Sequence, residues 1–482
     1  MEWLQSPDFW TARLVLQRVT AAVYLIAFLV AVNQFRPLLG ERGLLPTPRF
    51  LELVSFRRAP SIFHLHYSDR FLGLVSWVGV LLAGAAVLGL PESSSLWLSM
   101  LVWFAMWALY LSIVNIGQVF YGFGWESLLL ETGFLAIFLG PADMAPPTLV
   151  LWAVRWLLFR VEFGAGLIKL RGDPCWRDLT CLDYHHETQP LPNPMSWFFH
   201  HLPKAAHKVE VLANHVAQLV APVALFAPQP VAAWAAALII VTQLWLVASG
   251  NFSWLNVLTI ALAAVAFENP MLDPLLPNPP ADLQAPPGWH QVVVVLLTAV
   301  VGILSYWPVR NMASRRQRMN SSFDPLRLVN SYGAFGRVTK ERLELVIEGT
   351  AATTVRPGSV WQEYEFKAKP GDPRRRPPQV APYHLRLDWL MWFAALPGRS
   401  DHRWLIALLD KLLENDPATL KLLGRNPFPD APPTFVRATL YHYRFSSPRE
   451  RRETGSWWVR RRVRLHIPPM RTVKRWRAGS AA

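Results

Sequence analysis

The sequence predicts an α-helical polytopic membrane bundle of about nine spans, followed by a β-rich soluble domain. Three observations carry this. Of 482 residues, 52% are hydrophobic, with 23 Trp and 26 Phe, and only 17% are charged. Mean hydropathy is +0.20, too apolar for an ordinary soluble chain. Apolar runs at or near membrane-spanning length recur up to residue 308 and then stop, and beyond that point the runs shorten to strand length among frequent Arg and Lys.

The runs lie at about 14–34, 71–90, 96–116, 125–140, 148–169, 209–227, 231–248, 253–267 and 290–308. The fourth and eighth are short, which fits tilted, re-entrant or buried segments. Gly117, Pro141, Pro228, Pro270 and Pro308 mark ends. The first run lacks a small-residue cleavage pattern and is read as a retained span. The domain boundaries are therefore 1–310 for the membrane part and 311–482 for the soluble part. In the latter, ERLELVIEGT (341–350), WQEYEFKAK (361–369), TFVRATLYHYRF (434–445) and WWVRRRVRLHI (457–467) read as strands. HRWLIALLDKLLEN (402–415) reads as one amphipathic helix.

Alternating spans divide the connections into two sides. One side receives the N-terminus, 91–95, 141–147, 228–230 and 268–289, and its connections between spans carry no Lys or Arg. The other receives 35–70, 117–124, the long loop 170–208, 249–252 and the C-terminal domain, with nearly all the basic charge. Charge counting makes this basic side cytoplasmic, but long loops and folded domains follow that rule poorly. The net charge of +15 reflects arginine crowding in the last third. It reads as a solvated basic face beside a lipid bilayer, with no nucleic-acid partner.

Ionisable groups inside spans are costly and face protein. The fifth run holds Arg155, Arg160, Glu162 and Lys169. Arg155, Glu162 and Lys169 recur every seven residues, two turns of helix, and form one inward stripe. The fourth run holds Glu126 and Glu131. At about 1.5 Å of rise per residue, Glu131 falls between the levels of Glu162 and Arg160, and Glu126 falls level with Lys169. This points to the pairs Glu131–Arg160 and Glu126–Lys169 within an ion-pair network that also includes Arg155. Asn214, His215, Gln218, Asn251 and Asn256 add polar groups near the basic side. Structural locking of helices and a polar cavity for chemistry both account for such a cluster. In the second case Lys169 is the candidate base, with Glu162 beside it.

A 39-residue loop is long enough to imply function. Loop 170–208 carries Asp173, Cys175, Trp176, Arg177, Asp178, Cys181, His185, His186 and Glu187, then the stiffening QPLPNP. Cys175 and Cys181 are compatible with a disulfide, with free thiols or, joined by His185 and His186, with a metal; their spacing matches no common zinc knuckle. No metal or cofactor is expected. P-loop, GxSxG, HExxH and CxxC motifs are absent, which removes support for the common soluble enzyme classes.

The stretches FYGFGWESLLLETGFLAIFL (120–139) and RGDPCWRDLTCLDYHHETQPLPNPMSWFFHHLP (171–203) resemble the lipase maturation factor family. So do SYGAFGRVTKERLELVIEGT (331–350), EYEFKAKPGDPRRRPPQVAPYHLRLDWLMWFAAL (363–396) and NPFP (426–429). The resemblance implies a multi-span membrane protein assisting maturation of secreted client proteins such as lipases, as a folding factor rather than an enzyme. In animals that family sits in the endoplasmic reticulum, with the large loop and C-terminal domain lumenal. The Ala/Arg/Pro-rich, Cys-poor composition looks like that of a bacterial member, which places the protein in an inner membrane with these parts exoplasmic. A client platform is expected to expose aromatic surface, and YHLRLDWLMWF (383–393) is the candidate. FGAGLIKL (163–170) with Trp176 is also similar to the AGxxKL…W pattern of the vitamin K-dependent carboxylase family. This second resemblance implies an alternative, a membrane enzyme acting on a lipid-soluble substrate with Lys169 as base. Client identity and oligomeric state are not legible in the sequence.

Overall fold

The computed structural model describes residues 2–272, 279–396 and 403–471. Helices α1 (Trp10–Leu39), α2 (Asp69–Val87), α3 (Leu96–Ile116), α4 (Gly124–Ala136), α5 (Thr148–Arg171), α6 (Lys204–His215), α7 (Val231–Ser249), α8 (Leu255–Ala264) and α9 (Gly288–Leu304) build the N-terminal bundle. Helix α1 packs on α2 at close range because Gly79 leaves room for the Phe28 ring, where a Cβ would lie 2.3 Å from the ring edge. Helix α2 starts where Ser68 accepts the Phe71 amide, an N-cap.

Among the described residues, five helical stretches are long and apolar enough to cross a bilayer: Pro7–Leu39, Asp69–Val87, Leu96–Ile116, Val231–Ser249 and Gly288–Ala313. Of the nine spans expected, these five meet that length and apolarity on their own. Helix α4 has 13 residues and α8 has 10, too short to cross alone at about 1.5 Å per residue. Helix α5 carries five charges along its 24 residues. The run expected at 209–227 is interrupted by a π-turn over Val216–Val220. The short and charged helices lie inside the bundle. The outer helices expose Leu81, Leu101, Trp234, Leu296 and Ile303, apolar surface that suits lipid rather than water.

Polar contacts tie the two ends. At one end, Arg13 donates to the Pro141 and Met144 carbonyls at 2.8 and 2.7 Å, and Asn269 donates to Pro7 at 2.9 Å. At the other, Asn115 donates to Pro60 and Pro325, and Gln34 donates to the His384 carbonyl.

The C-terminal region is a mixed α/β cap. Strands β1 (Arg342–Thr350), β2 (Gln362–Glu363), β3 (Phe435–Phe445) and β4 (Trp458–Met470) form an antiparallel sheet of order β2-β1-β3-β4. Leu345 lies opposite Leu440. Alternation along β1 and β3 sends Leu345, Ile347 and Leu440 toward helices α10 (Arg386–Ala395) and α11 (Arg403–Leu413). It sends Val346, Tyr443 and Phe445 onto Trp197 of the long loop. The sheet centre is therefore covered on both faces, so β1 is almost wholly buried despite its alternating sequence. The stretch WQEYEFKAK is split: Gln362–Glu363 joins the main sheet, while Glu365–Phe366 pairs with Leu423–Arg425.

Helix α10 overturns the expectation that YHLRLDWLMWF is an exposed client platform. Leu387, Trp389, Leu390 and Met391 are buried. Trp389 and His384 meet the Trp125 ring edge-on at 4.9 and 5.1 Å, and Trp125 stacks on Phe123. Aromatic burial of this kind is a docking contact between the cap and the bundle.

Candidate functional site at the polar end of the bundle

The ionisable residues of α4 and α5 are nearly all sealed in protein, but their partners differ from those expected. Glu131 and Arg160 are paired, with Arg160 Nη1 3.3 Å from Glu131 Oε2. Glu131 Oε2 also accepts from the Asn330 amide (3.0 Å), Asn330 Nδ2 (2.9 Å) and Tyr332 Oη (2.7 Å). Glu126 does not pair with Lys169. It pairs with Arg386 of α10 at 2.6 Å and accepts a short hydrogen bond from Tyr110. The cap supplies Glu126 with a cation 260 residues away in sequence, which helical rise along the bundle does not reveal. Arg155 also leaves the expected ion-pair network. Its guanidinium points at the Val265 carbonyl (3.3 Å) and lies over the Phe9 and Trp152 rings, and no carboxylate lies within 4.0 Å of it among the described residues.

Lys169 and Glu162 are buried in a belt of amides. Lys169 Nζ donates to Asn214 Oδ1 (3.0 Å) and Gln218 Oε1 (2.9 Å) and sits 4.6 Å from the Trp176 ring centre. Glu162 Oε1 accepts from Gln243 Nε2 at 2.7 Å, and Gln243 in turn accepts from Asn256. Amide acceptors and an aromatic face both hold an ammonium in place. The arrangement clamps α5 to α6, α7 and α8, and Lys169 acts in it as a hydrogen-bond donor. Lys169→Met is accordingly expected to destabilise the protein by about 1–3 kcal/mol, the cost of leaving buried acceptors unpaired. The loss should be read from thermal unfolding of the detergent-solubilised protein. Unchanged unfolding would show that Asn214 and Gln218 find other donors without Lys169.

Above the belt lies loop 170–208, folded into short helices at Pro174–Arg177, Leu182–Thr188 and Ser196–His200. Asp173 caps the first by accepting from the Cys175 amide. Cys175 and Cys181 are joined by a disulfide, with Cα atoms 4.8 Å apart. Trp176 donates to the Phe335 carbonyl at 2.8 Å. Arg177 and Asp178, expected in the loop site, are exposed and take no part in it. His185 is buried edge-on to Phe335, and burial pushes its imidazole down to about 3. Glu187 accepts the Phe445 amide of β3 at 2.6 Å, and burial pushes its carboxyl up to about 6.

The cap and the bundle grip this loop through contacts that the sequence does not reveal. Arg342 donates to the Glu187 and Pro190 carbonyls at 2.8 and 3.0 Å and is held by Glu344, which also binds Lys369. Trp197 donates to Ser446, and Trp392 donates to Thr188. Asn251 donates to both Pro192 and Pro378. In the sequence Arg342 and Glu344 look like ordinary surface residues of a strand, because nothing local records that the loop covers them. The one outward clue, the charged i, i+2 pair Arg342 and Glu344 on an apolar strand, is weak on its own. The loop is thus a layer pressed between bundle and sheet.

A family model of the lipase maturation factor transmembrane domain matches residues 11–273, and one of the lipase maturation factor C-terminal domain matches residues 328–468. The chain is 45% identical to lipase maturation factor 1 of Bos taurus over 97% of its own length and 90% of that protein. It is 43% identical to lipase maturation factor 1 of Homo sapiens, covering 97% and 89% of the two chains. With lipase maturation factor 2 of Homo sapiens it shares 30% identity over 95% and 82%. No solved structure matches the chain.

Proposed function

The chain belongs to the lipase maturation factor family and is an integral membrane protein, and from this premise we propose that it assists the folding and maturation of secreted clients, lipases among them. The observation that carries the proposal is that likeness to relatives named as lipase maturation factors extends through both the membrane part and the cap. The geometry supports a binding role. The titratable groups of the polar belt are held by amides, Lys169 by Asn214 and Gln218 and Glu162 by Gln243, and the loop is stitched into the cap. The cap and loop 170–208 are assigned to the exoplasmic side, since a disulfide persists in an oxidising compartment.

The client surface is assigned to the edge strand β4. It is the outermost strand of the sheet, and Arg461, Arg462, Val463, Arg464 and Leu465 are exposed along it. An edge strand offers unpaired backbone groups to an extended segment of another chain, and its arginines favour a segment with acidic residues. The test is co-expression with a secreted lipase in cells lacking their own maturation factor, measuring lipase activity per unit of secreted lipase. The wild-type chain should raise it. A variant with Arg461→Glu, Arg462→Glu and Arg464→Glu should lower that gain by about tenfold, equivalent to ~1.4 kcal/mol of binding, while accumulating normally. No gain from the wild-type chain would sink the maturation role. An undiminished gain from the variant would remove β4 as the client surface.

A further inference from the structure

Three ligating side chains meet beneath the loop, outside the polar belt. His186 comes from the loop helix Leu182–Thr188, and His207 and Glu210 are one turn apart on α6. One ligating atom from each of the three lies within 4.8 Å of the other two. His186 Nε2 is 3.9 Å from Glu210 Oε2, and His207 Nδ1 is 2.8 Å from the same oxygen.

We propose that His186, His207 and Glu210 form a binding site for a single Zn2+ that fastens loop 170–208 to helix α6. The donor set is two imidazoles and one carboxylate, which zinc accepts at about 2.0–2.2 Å with a tetrahedral arrangement completed by water. Ligand atoms in such a site stand roughly 3.3 Å apart, so closure around the ion requires only small side-chain rotations from the separations seen here. Hard cations such as Mg2+ prefer all-oxygen sites and are poorly served by this one.

Two further observations point to a cation. His186 Nε2 is buried and has no hydrogen-bond partner among the described residues, an orphan acceptor or donor of the kind that calls for an explanation. His207 faces acceptors with both nitrogens, since its Nε2 lies 3.4 Å from the His200 carbonyl while its Nδ1 meets Glu210. A neutral imidazole carries one N–H. If Nε2–H donates to His200, the Nδ1 lone pair is free to ligate, which is the outer-shell pattern that orients a metal-binding histidine. Glu210 is oriented in the same way, because its Oε1 accepts from the Trp245 indole at 2.9 Å and leaves Oε2 for the ion. One Zn2+ therefore satisfies the orphan nitrogen, the two-faced imidazole and the carboxylate together.

The test uses the full chain, free of any affinity tag, purified in detergent, stripped with EDTA and dialysed against buffered Zn2+. Elemental analysis should find about one zinc per chain. Co2+ in its place should give a tetrahedral visible spectrum without thiolate character, displaced by Zn2+ and not by Mg2+. His186→Asn and Glu210→Gln should each weaken binding by more than the roughly 10- to 100-fold typical of losing an outer-shell partner. Uptake below about 0.1 zinc per chain by the monodisperse wild-type protein overturns the site. So does a cobalt–thiolate band, or zinc retained at wild-type affinity by both variants. If the variants do not accumulate, the wild-type zinc content and cobalt spectrum decide alone.

Discussion

Arg386→Met is expected to undock the cap from the bundle and to lower stability by about 3–5 kcal/mol, the range for removing one member of a buried ion pair. Arg386 is fully buried, and its Nη1 donates to Glu126 Oε1 at 2.6 Å and to the Phe120 carbonyl at 2.7 Å. Its guanidinium lies 3.4 Å from the centre of the Tyr121 ring. The substitution leaves the fully buried Glu126 carboxylate with only Tyr110 as a close partner. Paired with Glu126→Gln, the same change should recover much of the loss, because the uncompensated charge is gone and the amide can still accept from Tyr110. The measurement is thermal unfolding of the detergent-solubilised protein, with limited proteolysis to follow release of the cap. A single variant as stable as wild type would show that the aromatic contacts of Trp125, His384 and Trp389 hold the cap without the ion pair.

The second large effect is expected at Glu131. This carboxylate is 1% exposed and collects donors from Arg160, the Asn330 amide and side chain, and Tyr332. Glu131→Leu strands a buried guanidinium and three further donors, so the loss should reach at least about 3–5 kcal/mol. Arg160→Met should cost distinctly less, since Glu131 keeps Asn330 and Tyr332 and a carboxylate holding several hydrogen bonds remains satisfied. The asymmetry is the informative outcome, again read from thermal unfolding. Equal losses would mean that the Arg160 charge, and not the convergence of donors on Glu131, holds this junction. Because Asn330 and Tyr332 lie just ahead of the cap, Glu131 also fixes where the chain leaves the bundle.

Both junctions show what local pattern can and cannot convey. The level of Glu131 opposite Arg160 follows from helical rise alone, and the two are in contact. Helical rise also places Glu126 level with Lys169, yet Glu126 binds Arg386, 260 residues away in sequence. YHLRLDWLMWF is rich in aromatic residues because it is an interface, but its composition does not distinguish a surface awaiting a client from one already occupied by Trp125 and Phe123. His207 and Glu210 have ligand spacing on a helix, but only the folding-back of the loop brings His186 to them.

What the sequence determined unaided is whatever repeats along one element. Apolar runs marked the bundle, and alternation marked β1, β3 and β4. The seven-residue spacing of Arg155, Glu162 and Lys169 put them on one helix face, and long specific strings pointed to the family. What only the tertiary structure decided is whatever depends on two elements meeting. This includes which cation each carboxylate takes, which short helices sit inside others, and which face of the cap is left open. The reason is physical. Periodicity is a property of one backbone, whereas partner choice depends on distances of a few ångströms between segments far apart in the chain, where Coulomb energy and desolvation change steeply.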